Sequence, residues 1–392
     1  LLRAVRARVY DTDAETLREQ VELVRIPAPS FAEAERGARV RARFEALGLA
    51  GVATDEVGNV LGRLPGAARP DAAPVVLAAH LDTVFPAGTD LTPREEGGRI
   101  YAPGITDNAR GLAALLAVAR VLAEGGVRTL RPVLFAATVG EEGIGDLLGV
   151  KHLFREGAPL RRAAAFVSLD GSGTGRIVHR AIGSRRLRVT LRGPGGHSWA
   201  DRGTANPVQA LAAAVASLRA LHPPASARSS LTVARIGGGT SVNSIPSEAW
   251  AEVDLRSETP GALPGLEAGV REAVRAAVDA ENRLRARRTR PVEAFWETIG
   301  DRPAGATDPD APLVRAAVAV TRALGDPAEL ASSSTDANVA ISLGVPAITI
   351  GVGGESGGVH TTGEWYSNRG GPRGVERALL IALAAAGLAG RE

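Results

Sequence analysis

The chain has 392 residues, enough for two domains, and hydrophobic residues make up 45% of it, as in a folded globular protein. Lys and Arg number 46 against 43 Asp and Glu, and the densest basic run, 283–290, has no interleaved aromatic residues, so we expect no nucleic-acid partner. Cysteine is absent, which excludes disulfides and thiolate metal sites. No apolar run reaches the length of a membrane span, so we expect a cytoplasmic protein without a membrane partner.

Apolar residues at helical spacing predict helices, and short continuous apolar runs predict buried strands. Up to residue 183 the predicted elements are helices over 13–25, 33–47 and 111–122 and strands over 51–54, 59–64, 75–79, 132–138 and 164–169. Strands that alternate with helices and end in polar residues are typical of an α/β domain with a mostly parallel sheet.

The pattern changes in the second half of the chain. The predicted elements there are strands over 187–192, 230–236, 249–256 and 292–298 and helices over 207–221 and 265–282. Their β-α-β-β-α-β order is typical of a ferredoxin-like module. The α/β rhythm then returns, with helices over 311–324, 337–343 and 374–386 and a strand over 347–352. The sequence therefore predicts one α/β domain, 1–183 and 299–392, interrupted by an inserted α+β module over 184–298.

Side chains that can bind a metal lie at or just after the predicted strands of the α/β domain, or in the loop before its helix at 111. They are His80, Asp82, Asp107, Glu141, Glu142, Asp170 and His360. Each taken alone has a plainer interpretation, as a surface pair, a solvated turn or a loop histidine. Their common placement at the carboxyl edge of the sheet, where open α/β sheets bind ligands, favours one shared site.

Imidazole and carboxylate groups without sulfur suit two divalent ions, either Zn or alternatively Co or Mn. Two ions that lie close together need a carboxylate that bridges them, and Asp107 is the candidate. His80 and Asp170 would then bind one ion, and Glu142 and His360 the other.

Two further acidic residues stand beside these candidate ligands. Asp82 is placed to hold the other ring nitrogen of His80, which would fix the tautomer of the imidazole. Glu141 suits a general base that acts on a water molecule at the metal site.

The segments AAHLDTV, YAPGITDNARG, TVGEEGIG, VSLDGSG and GGVHTTGEW together resemble a known family. It is the family of di-zinc exopeptidases and amidohydrolases that includes peptidase T, glutamate carboxypeptidase, acetylornithine deacetylase, succinyl-diaminopimelate desuccinylase and the aminoacylases. The resemblance extends over essentially the whole chain and implies the same ligands, with Glu141 as the base and Asp82 as the orienting partner. It also implies a zinc-exopeptidase-like catalytic domain and a cis peptide bond between Asp107 and Asn108.

The inserted module resembles the lid of that family, which commonly forms the dimer interface, so the resemblance implies a homodimer. GPGGHSW implies that His197 reaches a neighbouring active site and helps to stabilise the oxyanion. GGTSVNSIP and VDLRS imply that Asn243 and Arg256 bind a substrate carboxylate, although Asn243 could instead cap a turn and Arg256 could be a surface arginine. The remaining histidines are expected to be structural or surface residues: His152, His179 and His222.

The residue at position 170 bears on the substrate. Relatives with Asp there tend to be aminopeptidases and dipeptidases, whereas those with Glu tend to be carboxypeptidases, deacetylases and deacylases. LDGSGTGRI also resembles the peptidase T branch. We therefore expect a metallopeptidase that acts on short peptides, with an N-acyl-amino-acid amidohydrolase as the alternative. A non-catalytic binding protein with this fold is a third interpretation, which the intact set of ligands and the base disfavour.

Overall fold

The computed structural model describes residues 2–68, 72–221 and 228–389, so His222 lies outside the described residues. The chain divides into two compact units. A discontinuous unit comprises Leu1–Ala181 and Ala306–Glu392, and an inserted unit comprises Ile182–Gly305. The sequence analysis expected the insertion at 184–298.

The described residues form ten α-helices. They are α1 Leu2–Asp11, α2 Asp13–Val24, α3 Ala34–Ala46, α4 Ala109–Glu124, α5 Leu148–Leu153, α6 Pro207–Leu218, α7 Ala262–Leu284, α8 Pro312–Ala323, α9 Ala337–Ser342 and α10 Gly371–Ala386.

The strands of the described residues are β1 Ala50–Thr54, β2 Val60–Leu64, β3 Val75–His80, β4 Arg94–Glu96, β5 Arg99–Tyr101, β6 Val133–Thr138, β7 Ala165–Leu169, β8 Arg176–Ala181, β9 Gly183–Arg192, β10 Gly196–His197, β11 Ser229–Gly238, β12 Ser244–Ile245, β13 Glu248–Ser257, β14 Glu293–Arg302, β15 Gly305–Ala306, β16 Glu329–Ser333, β17 Ala347–Ile350, β18 Glu355–Gly357 and β19 Trp365–Ser367.

A large mixed sheet forms the centre of the discontinuous unit. Its strands follow the order β1-β2-β6-β3-β7-β17-β8, with β16 beside β8. β3 runs parallel to both of its neighbours, β6 and β7, and β17 runs parallel to β7. The pairs β1/β2, β2/β6 and β17/β8 are antiparallel. The prediction of an α/β fold with a mostly parallel sheet is therefore confirmed.

The apolar run of β3 is continuous because both faces of the sheet are buried. Val75, Leu77 and Ala79 pack in one core cluster, whereas Val76 and Ala78 pack in another, as the alternation of side chains along a strand requires. The helix α4 is buried along almost its whole length because it packs in the first of these clusters. This double-sided core fixes the positions of the strand ends.

Four parallel strands end at the same edge of this sheet: β3, β6, β7 and β17. β3 ends at His80 itself, and β7 ends one residue before Asp170. The predicted ligands therefore leave neighbouring strands at a single edge, which is where open α/β sheets bind ligands.

Some elements of the discontinuous unit had no prediction from the sequence. They include α1, β8, β16 and a small sheet of the order β18-β19-β5-β4. α1 buries only Val5 and Val9, and the strands of the small sheet are three residues long, so each lacks the long apolar pattern from which elements are predicted.

The inserted unit contains a four-stranded antiparallel sheet of the order β11-β13-β9-β14. Alternate residues of its central strands, such as Val189 and Leu191 on β9, pack with residues of α6 and α7. The main elements follow the β-α-β-β-α-β order along the chain. The function of this unit as a lid and dimerisation domain remains a prediction. Among the described residues, no helix combines the length and apolarity needed to cross a bilayer.

Candidate metal centre

The structure brings His80, Asp107 and Asp170 together at the carboxyl edge of the central sheet. One ligand atom from each of the three lies within 4.8 Å of the other two. His80 Nε2 is 3.0 Å from Asp107 Oδ1. His80 is buried and the two carboxylates are half-buried.

A second group consists of Asp107, Glu142 and His360, with ligand atoms again within 4.8 Å of one another. His360 Nε2 lies 2.9 Å from Asp107 Oδ2 and 3.1 Å from Glu142 Oε1. The two oxygens of Asp107 therefore face two different imidazoles, one from each group. This arrangement suits a carboxylate that is shared between two ions. The predicted ligands thus form two groups with one common member, and their role as ligands remains a prediction.

The carboxylates of this site have few compensating charges. Burial, and then the negative charge of Asp107, raise the pKa of Asp170 to about 7. Burial also acts to raise the pKa of Asp107, but its contacts with His360 and His80 hold that pKa below its ordinary value. Among the residues that the structure describes, no arginine or lysine lies within ion-pair distance of Asp107, Glu142 or Asp170.

The two imidazoles supply what positive charge there is. Hydrogen bonds with Asp107 and Glu142 raise the pKa of His360 to about 10. Burial acts to lower the pKa of His80, but the neighbouring carboxylates of Asp107 and Asp82 leave it well above its ordinary value. The neighbouring carboxylates therefore favour the protonated form of both imidazoles in the metal-free protein.

The donor atoms of the site fit divalent metal ions. His80 Nε2 and Asp107 Oδ1 are buried and lie 3.0 Å from each other, but their geometry makes no hydrogen bond, and neither atom has another hydrogen-bond partner. Buried polar atoms almost always have a partner, so these two atoms need an explanation. Imidazole nitrogens and carboxylate oxygens are the donors that Zn, Co or Mn binds in the absence of sulfur. A dication between them would bind both atoms and offset the repulsion that raises the pKa of Asp170.

Asp82 contacts both the first histidine and the loop that carries the two glutamates. Its main-chain oxygen is 3.0 Å from His80 Nδ1, and its Oδ1 is 3.5 Å from the same atom. Its carboxylate accepts hydrogen bonds from the backbone N–H groups of Glu141 and Glu142, each at 2.9 Å. Asp82 therefore fixes the position of the loop 141–142 in addition to contacting the His80 ring.

Glu141 forms a third group of potential ligand atoms with His80 and Glu142, and all three side chains are buried. The carboxylate of Glu141 therefore lies next to the candidate metal groups without belonging to either of the two that contain Asp107. This position suits the predicted general base, whose role remains a prediction.

Several residues that hold the site were not identified from the sequence. Ser30 donates a hydrogen bond of 2.7 Å to Asp82 Oδ2, and Glu33 accepts one of 3.0 Å from the backbone N–H of Gly140. Asn108 accepts a hydrogen bond from Gly111 N–H and donates one to the main-chain oxygen of Leu169. Each is a polar residue outside any ligand spacing, so no sequence signal distinguishes it from a turn or cap residue.

The backbone of the site loops contains uncommon conformations. The expected cis peptide bond between Asp107 and Asn108 is present. In the described part of the chain, the residues other than glycine with positive φ are Phe31, Asp146, Leu147 and His360. All four lie within five residues of a site residue or of Ser30, and left-handed non-glycine residues tend to cluster at functional sites.

His197 and Asn243 are neighbours in the inserted unit. β10 pairs with β12 so that His197 lies opposite Ser244, and the backbone N–H of Ser198 donates to the oxygen of Asn243 at 3.0 Å. His197 is exposed, and its Nδ1 accepts hydrogen bonds from backbone N–H groups, which leaves Nε2 to carry the proton. Oδ1 of Asn243 accepts a hydrogen bond of 2.6 Å from Ser241. Their catalytic and binding roles remain predictions.

Arg256 lies on the central strand β13 of the inserted unit and forms an ion pair of 2.7 Å with Asp254. Its side chain is 44% exposed, so part of the guanidinium remains accessible. Two of the three histidines that were set aside lie among the described residues. His179 is buried with Nδ1 2.8 Å from the main-chain oxygen of Thr307, and His152 contacts Glu56.

A mostly parallel α/β sheet carries two carboxylate–imidazole groups at its carboxyl edge, and this arrangement suits a metal-dependent hydrolase. The sequence profile of the peptidase family M20/M25/M40 matches residues 76–384. The chain belongs to this family.

Individual proteins are similar to this chain in sequence or in fold. A proposed LysW-lysine/LysW-ornithine hydrolase of Aeropyrum pernix is 32% identical over 244 residues, which is 62% of this chain and 63% of that protein, so the match spans less than two thirds of the relative. The structure is similar to aminopeptidase PepT of Bacillus cereus, with a TM-score of 0.74 and 24% identity over 95% of this chain and 98% of the other. A Bacillus subtilis protein described as a dinuclear metal-binding peptidase from the M20 family has a TM-score of 0.69 and 16% identity, with coverage of 98% and 99%.

Proposed function

We propose that this protein is a metallopeptidase that hydrolyses short peptides from their amino end, as an aminopeptidase or dipeptidase, with two divalent ions bound at the candidate metal centre. The observation that carries the proposal is the position of Asp107, whose two oxygens face His80 and His360. A carboxylate shared in this way is the central feature of a site for two ions. The ions are proposed to be Zn, with Co or Mn as alternatives.

In the proposed chemistry the side chains bind the ions, and the ions act on the water molecule and the substrate. His80, Asp107 and Asp170 would hold one ion, and Asp107, Glu142 and His360 the other. When bound, the ions would activate a water molecule and polarise the scissile carbonyl group.

Glu141 is the proposed general base. It accepts a proton from the attacking water and donates it to the leaving amine when the peptide bond breaks, so the proton balance closes within one turnover. Asp82 holds the backbone of Glu141 and thereby the direction from which this base approaches. His197 is proposed to stabilise the oxyanion, and Asn243 and Arg256 to bind a substrate carboxylate.

The preference for peptides rests on Asp170, which stands where aminopeptidases and dipeptidases of the family tend to carry Asp. Aminopeptidase PepT, by its name, belongs to the same class of activity. A second candidate is an amidohydrolase that releases an amino acid from an acyl or carrier group. It is favoured by the relative from Aeropyrum pernix, whose name describes a hydrolase of LysW-lysine and LysW-ornithine.

A mixed panel of substrates separates the two candidates. It would contain free dipeptides and tripeptides together with N-acetyl and N-succinyl amino acids, with added Zn, Co or Mn and a chelator control. Amino-acid release would be measured by mass spectrometry. Chelator-sensitive cleavage of the unblocked peptides supports the peptidase. Cleavage confined to the blocked compounds identifies an amidohydrolase and contradicts the inference that Asp170 indicates a peptidase.

The role of Glu141 has its own test. Glu141→Ala should lower kcat by about 10²–10⁴-fold, the usual contribution of a general base, while the protein keeps its bound metal. Metal content by mass spectrometry and kcat are measured on the same preparation. Unchanged turnover, or metal loss equal to the loss of turnover, would contradict the assignment of Glu141 as the base.

A homodimer is also proposed, since the inserted unit resembles a lid that forms a dimer interface. Size-exclusion chromatography with light scattering measures the mass directly. A strict monomer at all concentrations would contradict both the dimer and a role for His197 in a neighbouring active site.

A further inference from the structure

The segment that carries Asp107 is held by a second acidic residue that is not one of the candidate ligands. Glu364 is completely buried, and its side chain points to the backbone of residues 104–107. Oε2 accepts the N–H of Gly104 at 3.0 Å, and Oε1 accepts the N–H groups of Thr106 at 2.7 Å and Asp107 at 3.1 Å. Three hydrogen bonds thus fix the backbone of residues 104–107, which ends at the shared ligand Asp107.

Glu364 also belongs to the loop that carries His360. Its backbone N–H donates to the oxygen of Thr361 at 3.1 Å, and its own oxygen accepts from Ala102 N–H at 3.0 Å. Strand β19 begins directly after Glu364 and pairs with β5. The residue therefore connects the two segments that supply Asp107 and His360, whose side chains meet at 2.9 Å.

The hydrogen bonds of Glu364 need an acceptor at both of its side-chain oxygens. Both of its oxygens accept hydrogen bonds, so an amide at the same position would turn its NH₂ group toward a backbone donor. Among the described residues no arginine or lysine pairs with Glu364, so its side-chain oxygens are satisfied by backbone N–H groups. A buried carboxyl group without a charged partner costs stability. Its presence beside Asp107 therefore suggests a role beyond packing.

We propose that Glu364 is a positioning residue of the metal centre, which sets the distance and orientation between Asp107 and His360 and thereby the affinity for the metal ions. The proposal rests on the proposed metal-dependent function. Groups that orient metal ligands without touching the metal typically change its affinity by about 10–100-fold when they are removed.

The test measures metal binding by the metal-free protein and does not require turnover. Glu364→Gln keeps the size of the side chain but loses one acceptor, and Glu364→Asp keeps the charge but shortens the reach. Titration with Zn against a chromogenic chelator should give affinity about 10–100-fold below wild type for Glu364→Gln and a smaller loss for Glu364→Asp.

Glu376→Gln provides the matched control. Glu376 is a buried carboxylate on α10 that contacts Tyr10 and Arg6, so its loss reports the cost of removing any buried acid. The expected result is a lowered Tm in both glutamine variants but weakened metal binding in Glu364→Gln alone.

Two outcomes overturn the inference in distinguishable ways. If the wild type binds two ions and Glu364→Gln binds them equally well, or if Glu376→Gln weakens binding to the same extent, Glu364 has only a structural role and the proposed function stands. If the wild type binds no divalent ion, both the inference and the proposed function fail.

Discussion

Two clusters of charged side chains in the discontinuous unit are balanced in different ways. The first, which we call the salt-bridge cluster, joins α2, α3 and α4. Arg120 Nη1 lies 2.9 Å from Glu19 Oε2 and 3.2 Å from Glu15 Oε1, while Arg43 lies 3.0 Å from the other oxygen of Glu19. Two arginines thus face two glutamates, and the cluster needs no ion from solution.

The candidate metal centre has the opposite composition. Three carboxylates, Asp107, Glu142 and Asp170, face two imidazoles and no arginine or lysine among the described residues. Burying a carboxylate is costly, and burial raises the pKa of both Asp170 and Glu19. Arg120 and Arg43 act to lower the pKa of Glu19, whereas the negative charges of Asp107 and Glu142 raise the pKa of Asp170 further. The comparison indicates that one cluster supports the fold, whereas the other leaves charge for a ligand to balance.

The largest expected effect comes from removing one carboxylate of each cluster. Asp107→Ala should abolish turnover and metal binding, because this side chain belongs to both ligand groups. Glu19→Gln should keep its metal and lose about 3 kcal/mol of unfolding free energy, as when one partner of a buried pair is removed. Metal content and urea unfolding are measured for both. Metal loss in Glu19→Gln, or two bound ions in Asp107→Ala, would contradict the comparison.

Metal removal should change stability through the candidate metal centre alone. A ligand that binds only the folded state adds about 4 kcal/mol at a thousand times its Kd. We therefore expect Zn to raise the Tm of the chelator-treated protein well above its metal-free value, measured by calorimetry. The same titration of Asp107→Ala serves as the control and should give no rise. An equal rise in both proteins would place the bound metal elsewhere.

Metal binding should release protons, because ligands must be deprotonated. In the metal-free protein Asp170, with a pKa of about 7, and His360, with a pKa of about 10, hold protons below those values. Apparent metal affinity should therefore rise as the pH is raised from about 6 to about 8. Calorimetry in buffers of different ionisation enthalpy counts the released protons, and binding without release would show that these groups are not ligands.

A smaller effect is expected from the support of Asp82. Ser30→Ala removes one hydrogen bond to its carboxylate but leaves the two backbone N–H bonds, so about 1 kcal/mol, or about fivefold in kcat/KM, should be lost. Ser229→Ala removes a comparable bond of 2.8 Å to Ser257 in the inserted unit and is the control. Equal losses in the two variants would mean that Ser30 does not act through the site.

Much of the α/β fold could be predicted because its strands are buried on both faces and its longer helices are clearly periodic. β3, β6, β7 and β17 lie close to the predicted ranges, since a continuous apolar run bounded by polar residues leaves few alternatives. α1 and the small sheet β18-β19-β5-β4 could not be predicted in the same way. α1 buries only Val5 and Val9, and the strands of the small sheet are three residues long, so neither has a long apolar pattern.

The residues of the candidate site, too, could be predicted only in part. His80, Asp107, Glu142, Asp170 and His360 could be selected because each stands at or near a strand end or helix start. The supporting residues could not, because a single serine or glutamate in a loop has no periodic or spacing signal. Ser30 and Glu364 became visible only through their hydrogen bonds to residues far away in sequence.

The sequence by itself determined two properties of this protein. They are an α/β scaffold without cysteine, and imidazoles and carboxylates at the ends of apolar strands. Those properties follow from composition and local pattern, which act over a few residues. Only the tertiary structure decided that one oxygen of Asp107 faces His80 and the other faces His360. It also decided which buried acids meet arginines and which do not. Both depend on side chains that are separated by up to several hundred residues, and packing alone brings them within hydrogen-bond distance.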